Sequence, residues 1–279
     1  MTTPRTVTIV TEAPVQGGTG NAGAGAETRS EAGPGWDPSA AEMGAGTQDG
    51  FDRLVASLPV GVGVAVAPVG APRTALAGGD LTSGVAWSTI KVPLALAALR
   101  ASVGERDAVE RALTVSDNAS AEGLWTALGG GGQASASVES VLAEAGDSET
   151  RVPSERRRPG FSVFGQTEWS LESQAVFGAG LACLADGSAV LEPMTRVDPS
   201  QSWGLGRIPG AAYKGGWGPT MDGGGYLVRQ FGVVPSPQGR FAIAIAVHGA
   251  TFDDGAATLS QTADLVSAEL GTLPAGECG

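Results

Sequence analysis

Ser88-Thr89-Ile90-Lys91 sets a hydroxyl and an amine three residues apart, which on a helix puts them on one face. A serine hydroxyl is a poor nucleophile until a neighbouring base takes its proton, and a buried lysine can be that base because desolvation lowers its pKa. Arginine cannot, since its guanidinium stays protonated in proteins. Lys91 and Lys214 are the only lysines in the chain; every other basic side chain is arginine. Between them stands Ser116-Asp117-Asn118, whose hydroxyl can pass a proton to a leaving group and whose amide can hold a substrate carbonyl. Lys214-Gly215-Gly216 closes the set at the end of an expected strand. There Gly216 lets substrate backbone approach closely and leaves the amide of Trp217 free as an oxyanion donor.

Each fragment alone has a plainer reading. A Ser and a Lys at this spacing arise by chance about once in a chain of this size. Ser-Asp-Asn is a good helix N-cap, and the glycines at 129–132 and 223–225 read as turns rather than phosphate cradles. His248, the only histidine, ends an apolar strand without a Gly-x-Ser-x-Gly elbow, so it reads as structural. The argument rests on order and on the elements beneath the motifs.

Residues 1–47 mix Thr, Gly, Ala, Pro and Glu without periodicity and read as a flexible stalk. From there Phe51, Leu54, Val55 and Leu58 recur at helical spacing up to Pro59. Val60–Val66 and Thr74–Leu76 read as an early hairpin, and Ser88–Arg100 as a core helix. Helical patterns follow over Asp107–Leu113, Ala119–Leu128, Ser135–Ala145 and Leu171–Leu184. Ala211–Lys214, Gly224–Val234 and Arg240–His248 then read as strands, and Ala256–Leu270 as a closing helix. The expected fold is α/β (α+β): an antiparallel sheet flanked by terminal helices, with a helical subdomain inserted between its early and late strands and a cleft between the parts.

Ser-x-x-Lys, Ser-Asp-Asn and Lys-Gly-Gly, in this order on these elements, resemble the three-motif signature of class A β-lactamases and penicillin-binding proteins. The resemblance runs from about residue 48 to 270, and it implies a serine β-lactamase-like domain over 48–273 with a short tail at 274–279. It implies Ser88 as nucleophile, Lys91 as its base, Ser116 as proton relay and Asn118 as substrate anchor. Lys214 would orient the substrate carboxylate, and the backbone N–H groups of Ser88 and Trp217 would form the oxyanion hole beside Gly216. The implied partner is a small-molecule or peptide substrate, a β-lactam or a peptidoglycan-like acyl-D-alanyl peptide, met by a monomer with no cofactor at the cell envelope or outside the cell.

Three departures bear on that expectation. Gly215 stands where the family carries Thr or Ser, removing a hydroxyl for the carboxylate. Only 28 residues separate Ser88 from Ser116, fewer than full-size class A enzymes have, so a more open cleft is expected. Glu155 lies near the place of the deacylating glutamate, but Arg156, Arg157 and Arg158 follow it and no asparagine does. Those cations would weaken it as a base, so slow release of the acyl-enzyme is expected. The same departures suggest a rival: a non-catalytic envelope binding module that kept the fold.

Composition narrows the classes further. The 279 residues carry a net charge of −12, which repels nucleic-acid phosphates and anionic membrane surfaces. One histidine and two distant cysteines do not make a usual zinc site, and no metal is expected. Whether Cys183 and Cys278 pair stays open. Val7–Val10 is too short for a signal peptide or a membrane span, and no targeting segment is visible.

Overall fold

A computed structural model describes residues 5–8, 45–71, 74–220 and 223–279. In chain order the elements are β1 (Arg5–Thr8), α1 (Ala45–Ser57), β2 (Val62–Pro68), β3 (Thr74–Gly79) and β4 (Ser83–Val85). The helical block follows: α2 (Lys91–Arg100), α3 (Arg106–Thr114), α4 (Asn118–Ala127) and α5 (Gly131–Glu144). Then come β5 (Glu168–Ser170), α6 (Leu171–Leu181), α7 (Ser188–Met194), β6 (Ala212–Pro219), β7 (Tyr226–Ser236), β8 (Gly239–Gly249) and α8 (Phe252–Ala268). The main sheet runs β1-β3-β2-β8-β7-β6, antiparallel throughout, and β4 pairs with β5 in a separate two-stranded piece. The expected architecture is the one found, with the helical subdomain inserted between early and late strands.

The two central strands alternate large and small residues, and this decides what covers each face. On β2 and β8, Val62, Val64, Val66, Phe241, Ile243, Ile245 and Val247 enter one core with Phe51 and Leu54 of α1 and Leu259, Ala263 and Val266 of α8. The intervening Ala65, Ala67, Ala242, Ala244 and Ala246 enter the other core, with α6 and the helical subdomain. Successive strand residues point to opposite faces, so one face offers bulk and the other a shallow bed. Into that bed α6 settles closely: a Cβ on Gly178 would lie 2.9 Å from the Cβ of Ala242. All of α6 except Glu172 is buried, which is why its sequence shows no polar face. In α2, Val92 to Ala98 are all buried, and Pro93 falls in the first turn where its missing N–H costs no helical bond.

Several details differ from the sequence reading. The glycines at 131 and 132, read as a turn, open α5, with the left-handed Gly129 and Gly130 making the bend before it. Arg5–Thr8, placed in the stalk, pairs with β3; its Thr-Val-Thr run is β-branched and favours extended backbone. The rest of that stalk up to Ala45 lies outside the described residues. Ser88 lies in a 3₁₀ turn, Trp87–Ile90, that leads into α2 instead of in the helix itself. Among the described residues no helix is long and apolar enough to cross a membrane.

Cys183, just after α6, is disulfide-bonded to Cys278, 95 positions further along the sequence. Closing a loop of that length removes denatured-state entropy worth about 4–5 kcal/mol in the chain-entropy account, with measured values usually lower. Replacing both cysteines by serine is therefore expected to lower the unfolding free energy by about 2–4 kcal/mol, read from urea denaturation with and without reductant.

Candidate active site

The turn carrying Ser88 is held from below by a buried polar chain. Arg229 on β7 donates to Gln174 Oε1 at 2.7 Å, Gln174 Nε2 on α6 donates to Thr89 Oγ1 at 3.0 Å, and Thr89 Oγ1 donates to the Ala86 carbonyl at 2.6 Å. Arg229 also donates to the carbonyls of Gly84, Val85 and Trp169, tying β4 and β5 to the sheet behind the nucleophile. All three side chains are fully buried. Burial pushes the Arg229 guanidinium down to about 9, against the opposing pull of the Glu168 charge, so it stays charged at neutral pH with carbonyl oxygens as its hydrogen-bond acceptors. None of these three residues was singled out from the sequence, because each acts through partners 55 to 85 positions away.

Ser116, Asp117 and Asn118 turn from α3 into α4. Ser116 adopts a left-handed backbone at φ 58°, and Asp117 caps α4 by accepting from Ser120 N at 2.7 Å. The plain N-cap reading of the tripeptide is therefore correct for Asp117, and it leaves both neighbours aimed elsewhere. Lys91 Nζ donates to the Ser116 carbonyl at 2.6 Å and to Asn118 Oδ1 at 2.7 Å, and lies 3.4 Å from Ser116 Oγ. Lys214 Nζ donates to Ser116 Oγ at 2.9 Å and to the Gly215 carbonyl at 2.8 Å. The only two lysines thus meet on one hydroxyl, Lys91 from 25 positions before it in the sequence and Lys214 from 98 positions after it.

Both lysines are only 1% exposed. Burial pulls Lys91 from the ordinary 10.5 down to about 8, against the opposing pull of Asp117 and Glu122. Lys214 is lowered further, first by burial and then by the neighbouring Lys91 charge. Two short bonds from Lys91 go to oxygens that can only accept. A neutral amine has two N–H groups for those bonds and keeps its lone pair for a hydroxyl proton.

Lys214 and Gly216 project from one face of β6, the terminal strand of the sheet. A Cβ on Gly216 would lie 2.8 Å from Ala86 O and Ser88 N and 3.0 Å from Thr89 N. The absence of a side chain at Gly216 lets the protein's own nucleophile turn press backbone to backbone against the strand. Trp217 is the next residue along the strand. Gly215 faces the other way, and a Cβ there would meet the Trp203 indole at 3.3 Å. Trp203, Trp217 and Phe252 make an aromatic group on that outer face, ring centroids 5.0–6.0 Å apart.

Not every expected residue joins the cluster. No hydrogen bond links Ser88 Oγ to Lys91, whose donors are engaged by Ser116 and Asn118. Glu155 sits exposed in the loop between α5 and β5, and no hydrogen bond or ion pair joins it to Ser88, Lys91 or Ser116. That loop is organised instead by buried Gln166, which accepts from Arg158 N at 2.6 Å and donates to the carbonyls of Arg158, Phe161 and Ser162. Among the described residues no group of His, Cys, Asp and Glu side chains is placed to hold a metal ion.

No family model and no curated protein sequence matches the chain. Solved structures do. The extended-spectrum β-lactamase TLA-3 superposes with a TM-score of 0.61 at 16% identity, covering 79% of this chain and 98% of that one. A β-lactamase from Chitinophaga pinensis gives 0.58 at 18% identity, covering 78% and 97%. An ancestral class A β-lactamase gives 0.57 at 17%, covering 79% and 98%. The chain has the class A β-lactamase fold.

Proposed function

We propose that the protein is a serine acyl-transfer enzyme of the β-lactamase and penicillin-binding type, acting on β-lactams or acyl-D-alanyl peptides. The observation that carries this reading is the convergence on Ser116 Oγ of Lys214 and of Lys91, which follows Ser88 by three residues. In the acylation step Lys91 Nζ takes the proton of Ser88 Oγ, which attacks the substrate carbonyl carbon. The oxyanion is held by the N–H groups of Ser88 and Trp217. As the C–N bond breaks, Ser116 Oγ gives its proton to the departing nitrogen and recovers one from Lys91. Asn118 fixes Lys91 and presents its amide to the substrate. Lys214 holds Ser116 Oγ and supplies positive potential toward the substrate carboxylate.

Hydrolysis of the resulting ester needs a base for water, and Glu155 stands apart from the cluster. Acylation is therefore expected to outrun release. Mass spectrometry after incubation with benzylpenicillin should show one covalent adduct on Ser88, absent from Ser88→Ala, and a chromogenic cephalosporin should give a burst of about one equivalent before a slow phase. Adduct formation on Ser88→Ala, or its absence from the parent, would remove the nucleophile assignment; reversible binding unaffected by Ser88→Ala would favour the binding-module reading. The disulfide suits an oxidising compartment, in line with an envelope or secreted location.

A further inference from the structure

A cavity of about 700 Å³ outside the lysine cluster lies where the β6–β7 hairpin, the end of β8 and the β4–β5 pair come together. Its lining contains neither Ser88, Lys91, Ser116 nor Lys214. Small-molecule sites typically occupy about 300–1,000 Å³ and combine an apolar wall with a few converging polar groups. Val85, Trp87, Pro219 and Leu227 form the apolar wall here, with Glu168 and His248 as the titratable groups among the described lining residues. Both side chains are exposed, and neither makes a hydrogen bond or salt bridge among the described residues, although Glu168 feels the charge of buried Arg229 behind the β4–β5 pair. Trp87 is 8% exposed, and its indole Nε1–H has no acceptor.

Two cations border this region and both are engaged. Arg229 is buried behind the Gly84 and Val85 carbonyls, and Arg158 donates to the Pro219 carbonyl at 2.8 Å while lying over the Phe161 ring. Neither lines the cavity. The group presented to a ligand is thus a carboxylate beside an indole and aliphatic side chains, in a protein of net charge −12. A carboxylate attracts an ammonium, and an indole with a leucine and a valine takes the face of a ring.

We propose that this cavity is a second ligand site for small aromatic amines, with the ring against Trp87 and Leu227 and the ammonium on Glu168. The proposal is independent of the acyl-transfer reading. Isothermal titration of the full chain with tryptamine should give saturable 1:1 binding, and indole-3-acetate, with the same ring and opposite charge, should bind at least tenfold more weakly. Glu168→Gln should weaken tryptamine at least tenfold. Ser83→Trp, at an exposed lining position, should fill the cavity and abolish binding, with circular dichroism checking that the variant folds. No saturable binding, equal affinity for the anion, or tryptamine affinity unchanged by Glu168→Gln would overturn the proposal.

Discussion

Gly216→Ala is expected to reduce acylation of Ser88 by about 10²–10³-fold, the loss found when one oxyanion donor is removed. The new methyl has ordinary backbone room at its own residue, but at 2.8 Å it would strike Ser88 N and Ala86 O, both main-chain atoms. No side chain can swing aside to relieve that contact, so either the sheet edge or the nucleophile turn must move, and the two amides separate. Overpacking of this kind also costs about 1–3 kcal/mol of stability. Gly215→Ala is the control. Its methyl meets only the Trp203 ring at 3.3 Å, on the opposite face, and acylation should change less than threefold. Single-turnover kinetics on both variants, alongside thermal melts, separate a displaced oxyanion hole from general destabilisation.

The second large effect belongs to Lys91. With a folded pKa of about 8, the fraction of free amine rises tenfold per pH unit below that value, so the acylation rate should climb with unit slope and level off above pH 8. Lys91→Met should lose about 10²–10⁴-fold and the slope with it, leaving a flat residual profile. The same shift governs stability in a defined window. Between pH 8 and 10.5 the unfolded lysine still holds a proton that the folded one has lost, so unfolding takes up a proton and stability rises with pH across that interval. Below pH 8 the buried ammonium is a standing cost of about 3 kcal/mol. Denaturation midpoints at pH 7.5 and 10 should differ in that direction for the parent and by less for Lys91→Met, in which buried Lys214 still takes up a proton on unfolding.

What could be read from the sequence follows from how rare a residue type is and how local its partners are. Two lysines in 279 residues draw attention at once, and a helical spacing or a capping tripeptide needs no knowledge of the rest of the chain. The sheet and its helical insertion were legible for the same reason, from periodicities within each segment. Arg229 was not, since its role depends on carbonyls of β4 and β5 and on Gln174, and an arginine in a strand has no signature of burial. The three-residue strands β4 and β5 are too short to show alternation, and the glycines at the start of α5 obey tertiary packing against their low helix propensity. The contact of Gly216 with the nucleophile turn was not legible either, because spacing along a chain shows that room is needed and not which backbone lies beside it. The cysteine pairing depended on where the tail returns, which no local pattern encodes.

The unequal faces of β2 and β8 reach beyond packing. Because α6 rests on alanines with nothing between, any added volume there lifts the helix that carries Gln174, and Gln174 holds Thr89 beside the nucleophile. The valine and isoleucine side has no such lever on the catalytic turn. Homologues should therefore drift freely among aliphatic residues at 64, 66, 243 and 245 while keeping Ala or Gly at 65, 67, 242 and 244, so that one strand records two different rates of evolution on its alternate positions.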